Sequence, residues 1–306
     1  MLSYRFVAAF GAVVTLALAE PAAAQLRVVT STTDLADIAA AVGGARARVR
    51  HISEGYQDPH FAEAKPSFVL QLRNADVFAF VGLDLEIGWM PLLLQGARNP
   101  KVQAGGSGHL DVSQAIEVLD RATQRVDRSQ GDIHAAGNPH YWLDPANGRR
   151  IAQLFGRRFS ALDPANASEY DRNAKAFEAR LNAAERDWQR DLAGIRGKPV
   201  VAYHTSWKYL AEYTGMNIVG FMEPKPGVPP SPSHLAGLIL QIKRTGAKAI
   251  IMEPFYSRRD ADFVASKTGA KVVILPPSVN ALRDAKVDDY VRLLQYNISL
   301  LATTLK

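Results

Sequence analysis

The sequence predicts an α/β protein, two Rossmann-like lobes with parallel sheets joined by one long backbone helix. Three observations carry this. Short apolar, β-rich runs alternate with helically spaced segments from Leu26 to about Gly106, and the alternation restarts at Lys198. Between the two halves, Tyr170, Ala174, Phe177, Leu181, Ala184, Trp188, Leu192 and Ile195 recur at steps of three and four with charges in the gaps, the pattern of one amphipathic helix. About 27 residues at 1.5 Å each make a rod of roughly 40 Å, a rigid strut rather than a flexible linker. The expected organisation is a signal peptide at 1–24, an N-terminal lobe at 25–163, the linking helix at 164–196 and a C-terminal lobe at 197–306.

In chain order, LRVVTST (26–32) reads as a strand and TDLADIAAAVGG as a helix stopped by glycine. ARVRHIS reads as a second strand, KPSFVLQLRNA as a short helix with Ser67 as its N-cap, and DVFAFVG as a buried strand. LEIGWMPLLLQGA is helical, with Pro91 kinking it or marking its first turn, and KVQAGG (101–106) reads as a fourth strand. Past the long helix, KPVVAYH, NIVGFM, KAIIMEP and KVVIL are strands. TSWKYLAEYTG, SPSHLAGLILQIKRTG and RRDADFVASKTG are the helices between them, and a last helix runs from about Val287 to Leu301. The loop at 223–233 holds five prolines and is stiff.

The first 24 residues have Arg5, an apolar run from Phe6 to Ala19, and Ala22-Ala23-Ala24. That is the layout of a cleaved secretory signal, with an apolar run short for a membrane span, so a periplasmic location is expected. The chain has no cysteine, which excludes disulfides, thiolate metal ligands and a lipid anchor at the cleavage site. The net charge of +6 is scattered rather than gathered in a stripe with aromatics, which argues against nucleic acid.

Ligands of open parallel sheets bind past the carboxyl ends of the strands. His204 ends the strand VVAYH, His60 follows the second strand in DPHF, and Glu253 ends IIMEP. His140, in GNPHYWLDP, precedes a helix that Asp144 caps and Pro145 opens. A single histidine after a strand is more often an ordinary hydrogen-bonding residue than a ligand. Three on stiff loops in two lobes point to a metal in the cleft, since imidazole suits zinc and Asp58 and Asp144 could orient the rings. The same three histidines with an open position and Glu253 as a base would also suit a zinc hydrolase.

The segments DPHFAEAKPSFVLQLRNADVFAFVGLDLE, GNPHYWLDP, AYHTSWKYLAEYTGM and MEPFYSRRDADFVASKTGAKVVIL, in this order, resemble the zinc/manganese-type solute-binding proteins of ABC importers, over residues 25–306. The resemblance implies that His60, His140 and His204 are three metal ligands. It implies a metal receptor serving an ABC permease in the inner membrane, acting as a monomer and not as an enzyme. Its third ligand is a histidine in zinc binders and a carboxylate in manganese binders, so His204 favours Zn2+ as the transported ligand over Mn2+. The family's fourth ligand, an aspartate after the last strand, falls near Ser278 here, with the next carboxylate at Asp284. Glu253 is therefore the tentative fourth ligand, with a buried hydrogen-bonding role as its alternative and water or an anion as other occupants of the position. Zinc binders of the family carry a long histidine-rich loop before the second motif; the matching stretch here has only His134, which reads as a solvated loop residue rather than an auxiliary site. His51, His109 and His234 are assigned to structure or surface. A manganese or iron receptor of the same fold is the nearest alternative.

Overall fold

The computed structural model describes residues 25–122 and 134–306. The expected signal peptide lies outside the described residues, as do residues 123–133 of the stretch before the second histidine motif.

Two parallel four-stranded sheets build the molecule. The first contains β1 (Leu26–Thr30), β2 (Ala47–His51), β3 (Val77–Phe80) and β4 (His109–Asp111), in the order β2-β1-β3-β4. The second contains β5 (Pro199–Ala202), β6 (Asn217–Phe221), β7 (Ala249–Met252) and β8 (Lys271–Ile274), in the order β6-β5-β7-β8. The connecting helices are α1 (Thr33–Gly43), α2 (Pro66–Arg73), α3 (Met90–Ala97), α4 (Pro145–Leu162), α5 (Ala167–Ile195), α6 (Lys208–Thr214), α7 (Pro232–Thr245), α8 (Arg259–Thr268) and α9 (Tyr290–Thr304).

The central strands are buried on both faces, as parallel sheets require. In β3, Val77 and Ala79 face the core that joins the two lobes, while Phe78 and Phe80 face a separate apolar layer under α2 and α3. In β7, Ala249 and Ile251 face the joint core, and Ile250 and Met252 face a layer under α7 and α8. The long helix α5 has 29 residues, about 43 Å at the standard rise. Its buried stripe is Tyr170, Ala174, Phe177, Leu181, Trp188, Leu192 and Ile195. This stripe belongs to the same continuous core as strands of both sheets, so the helix is packed into both lobes rather than stretched between them.

Three expectations are corrected. No strand forms at 101–106: Gly105 has φ +82°, and a Cβ on Gly106 would stand 2.3 Å from the Pro100 carbonyl oxygen, so this segment turns back on itself. The fourth strand is His109–Asp111, placed where Gly108 presses against the Asp76 carbonyl. Ser67 is not the cap of α2, because Pro66 already occupies its first turn and Lys65 takes the cap position. The last helix begins at Tyr290, three residues later than expected, where the Asp289 side chain accepts from Arg292 N–H. The other caps hold as expected: Asp144 accepts from Ala146 N–H at 2.8 Å at the start of α4. Among the described residues no helix is long and apolar enough to cross a membrane.

Candidate metal centre

His60, His140 and His204 converge, offering one ligand atom each, all within 4.8 Å of one another. Their ring centroids are 5.4 to 5.7 Å apart. Each comes from a different loop, and each loop is tied down.

His60 lies in a single 3₁₀ turn, Pro59–Phe61, after β2. Asp58 makes the turn: its Oδ1 accepts from the His60 backbone N–H at 3.0 Å and from ring Nδ1 at 2.6 Å. The indole of Trp89 donates to the Pro59 carbonyl at 2.9 Å, which fixes the turn against α3.

His140 precedes another 3₁₀ turn, Tyr141–Leu143, that runs into α4. Asn138 plays the part of Asp58, accepting from the His140 backbone N–H and Nδ1, both at 3.0 Å. The aromatics beside it reach into both lobes. Tyr141 hydroxyl donates to the Val81 carbonyl past β3 at 2.7 Å, and the Trp142 indole donates to Pro277 past β8 at 2.8 Å. Asn138 also donates to the Thr205 carbonyl at 2.9 Å, so the second histidine loop is bonded to the third.

His204 follows β5 and opens the turn Thr205–Trp207. Its Nδ1 donates to Glu223 Oε2 at 2.7 Å. Glu223 sits just past β6, in the neighbouring strand end, and also accepts from Gly227 N–H at 3.1 Å. The proline-rich loop at 223–233 thus begins by holding a site residue.

One rule covers all three rings. Nδ1 donates to an oxygen acceptor, so Nε2 carries the lone pair that a metal takes. This outer hydrogen bond to a carboxylate or carbonyl is what metal-binding histidines characteristically have.

The electrostatics separate the three. Burial, followed by the neighbouring rings of His204, His60 and His134, holds His140 well below the ordinary imidazole pKa, which favours the neutral, ligating form. Burial also opposes charge on His204, but the Glu223 hydrogen bond and the nearby Glu253, Glu223 and Asp58 carboxylates outweigh it, and its pKa is raised. Asp58 is pushed up by burial and pulled further down by its bonds and charge contact with His60, ending below the usual carboxylate value.

The structure does not bring Glu253 into the group of three. Its carboxyl is fully buried, with neither oxygen in a well-formed hydrogen bond, beside Ser206 and His204. Burial pushes its pKa up to about 7, against the pull of His204 and Ser206. Ser278 is buried beside the Asp34 carboxyl.

His134 is not a solvated loop residue, contrary to expectation. It is partly buried, its Nδ1 donates to the Leu83 carbonyl at 2.8 Å, and its Nε2 lies 3.1 Å from His60 Nε2. Leu83 and His60, which it meets through its ring nitrogens, are 51 and 74 positions away in sequence, beyond any local pattern. Glu223 and Asn138 were also missed. Glu223 had a usable signal, its place just past a strand, the same rule that picked out Glu253. His109 and His234 bond backbone carbonyls at Val102 and Phe221, in keeping with structural roles.

These features define a class: a two-lobe α/β binding protein with a buried imidazole cluster held by loops from both lobes. The chain belongs to the family described as ZnuA, zinc-uptake complex component A, periplasmic, which it matches over residues 28–304. It is 25% identical over 290 residues to the metal ABC transporter substrate-binding lipoprotein ScbA of Streptococcus cristatus, covering 92% of this chain and 90% of that protein. It is 25% identical over 283 residues to the iron ABC transporter substrate-binding lipoprotein MtsA of Streptococcus pyogenes serotype M1, covering 90% and 87%. It is 28% identical over 170 residues to the high-affinity zinc uptake system protein ZnuA of Brucella abortus (strain 2308), covering 56% of this chain and 49% of that relative. A crystal structure of ZnuA superimposes with a TM-score of 0.76 at 23% identity, over 92% of this chain and all of that one. A Cd-bound periplasmic metal-binding protein from Candidatus Liberibacter asiaticus gives 0.76 at 22%, with the same coverage. At these identities the structural likeness is one of fold. Family membership makes the chain a metal-binding receptor component of ABC importers.

Proposed function

We propose that this protein is a periplasmic zinc receptor, with His60, His140 and His204 as ligands, that delivers the ion to an ABC permease in the inner membrane. The observation that carries this reading is the convergence of three imidazoles whose Nδ1 atoms are all committed to acceptors. A nitrogen-only set of this kind suits zinc better than manganese, which prefers oxygen donors. The work is capture and release, with no covalent step. Neutral imidazole is the ligand, so proton competition weakens binding as the pH falls. The helix α5 and the joint core favour small loop and lobe shifts over wide hinge opening. Glu253, buried near His204 and bonded to none of the three rings, is a carboxylate held in reserve close to the site. The zinc hydrolase reading gains no support from a family of receptors. A manganese or iron receptor is the second reading, because MtsA, similar over most of its length, is named for iron.

The test is metal competition. The chain from Gln25 is stripped, offered zinc, manganese and ferrous iron together, and its bound metal counted by mass spectrometry. One zinc per chain, lost or weakened on changing each of His60, His140 and His204 to alanine, is the expected result. Preference for manganese or iron moves the protein to the second reading, and indifference to all three substitutions ends the first.

A further inference from the structure

We infer that the free edge of β2 is a docking site for an extended acidic segment of a partner protein, which adds to the first sheet as one more strand.

The edge is open. β2 ends the order β2-β1-β3-β4 and pairs only with β1. Ile52 N–H donates to the Thr30 carbonyl at 3.0 Å, and the residue opposite Thr30 is His51, which sets the phase of the ladder. In a parallel pair every second residue bonds the neighbouring strand. Arg48 and Arg50 therefore turn their backbone groups toward β1, while Ala47, Val49 and His51 turn theirs outward. No further strand takes these groups up. Such a row of unpaired N–H and C=O groups is a template for another strand.

Both faces beside the edge are hollow. Arg48 and Arg50 share one face of the strand, and Val49 lies on the other. With Arg27 of β1, and with Ser67, Gln71 and the C-cap Asn74 of α2, the two arginines line a groove of about 430 Å³. Val49, with Ala36 and Ala40 of α1, lines a second hollow of about 480 Å³. Arg50 and Gln71 line both, so the hollows meet at the edge. A strand laid along β2 places alternate side chains in the one and the other. This is how added strands are bound and read, by main-chain hydrogen bonds for affinity and by pockets for every second side chain.

Charge names the occupant. No carboxylate lines the first groove. Arg27 is already held by Asp76 at 3.0 Å, whereas Arg48 and Arg50 are exposed and in no ion pair among the described residues. Two positions of the added strand stand directly opposite them, and acids there gain a cross-strand charge pair each. The second hollow is walled by small apolar side chains and is also lined by Asp37 and Asp288, so it takes small uncharged side chains and rejects acids. The fitting segment therefore alternates acidic with small apolar residues. A second copy paired through its own β2 would set arginine against arginine, so the edge repels itself and selects a partner of opposite charge.

Nuclear magnetic resonance titration of the isotope-labelled chain from Gln25 tests this, with the peptide acetyl-Thr-Asp-Val-Glu-Val-Asp-Thr-amide as probe. Saturable binding with Kd below about 1 mM is expected, with shifts gathered on β2 and α2 and slowed hydrogen exchange of Val49 N–H. Changing Arg48 and Arg50 together to alanine is expected to weaken binding about tenfold, for two lost charge pairs, with an unchanged melting temperature. The probe is also made with every second amide N-methylated, in the two possible phases. The phase that blocks the amides facing β2 is expected to abolish binding, and the other to spare it. Absence of binding at millimolar peptide, or shifts away from β2, overturns the inference. So does equal binding by both methylated peptides and by a scrambled peptide with its acids adjacent, which would reveal charge attraction without strand addition. Inorganic phosphate producing the same shifts and the same exchange protection would make the groove a simple oxyanion site and overturn it too.

Discussion

The Nδ1 of His204 lies 2.7 Å from Oε2 of Glu223, and both side chains are almost wholly withdrawn from solvent. The bond joins the ends of two neighbouring strands and fixes which ring nitrogen faces the cluster. Losing it frees the ring to rotate and exchange tautomers. Glu223→Ala is therefore expected to weaken zinc binding by about 10–100-fold, the usual cost of removing such an outer partner, while one zinc per chain is still bound at saturation. Chelator competition measures it. An affinity within twofold of wild type would show that burial alone orients His204.

Asp34 gives a pH dependence of stability. It lies in the first turn of α1, fully buried, and its Oδ1 accepts from Val279 N–H at 3.0 Å in the opposite lobe. Burial pushes its pKa from the ordinary 3.8 up to about 7. Between those values the folded protein keeps a proton that the unfolded chain has released. The stabilisation is fully present below about 4 and is lost as the pH rises through about 7. Asp34→Asn keeps the acceptor oxygen and removes the charge. The variant is expected to melt higher than wild type at pH 8 and to converge with it at pH 5. Glu86 and Glu253, also raised to about 7 by burial, pull in the same direction, so the slope is reduced rather than abolished. Parallel curves, with the variant lower throughout, would mean that the ionised carboxylate is net stabilising.

Much of this was readable in advance, and the failures share a cause. The strands and helices came from periodicity and glycine stops, and the long helix from a single apolar stripe. His204 and His60 came from their places at or after strand ends, and His140 from its place before a helix that Pro145 opens. Residues 101–106 were misread because Val102 is buried like a strand residue while Gly105 and Gly106 fold the backbone into a turn. His134 was misread because its partners, Leu83 and His60, are brought to it by the fold rather than by the sequence around it. Asp34 and Glu86 look like ordinary helix-start and loop acids, and only their burial sets them apart.

Glu86→Ala tests the clasp that the buried Glu86 carboxyl forms on Val81 and Gly82 N–H at the end of β3. The substitution strands the buried Gly82 N–H, while Val81 N–H keeps the Ser31 hydroxyl as acceptor at 3.2 Å. At about 1–3 kcal/mol for one unsatisfied group, the expected loss is about 1–3 kcal/mol, read from urea unfolding of the metal-free protein. A loss under about 1 kcal/mol would show that water replaces the carboxylate there.

The lobes also meet at Val279. The Thr33 hydroxyl donates to its carbonyl at 2.9 Å while Asp34 accepts from its N–H, so the first turn of α1 grips both sides of one residue. Gly55, in the loop leading to Asp58 and His60, lies against the same carbonyl: a Cβ there would stand 1.9 Å from Val279 O and 2.9 Å from Ala281 N. Backbone atoms cannot give way as a flexible side chain can. Gly55→Ala must separate the loop from residues 279–281, and the His60 turn moves with it. A stability loss of about 1–3 kcal/mol, the range for overpacking, is expected together with weaker zinc binding. Because the two effects share one displacement, they should appear together. A variant that melts normally and binds zinc normally would show that the loop has slack and that the lobes are not locked at this point.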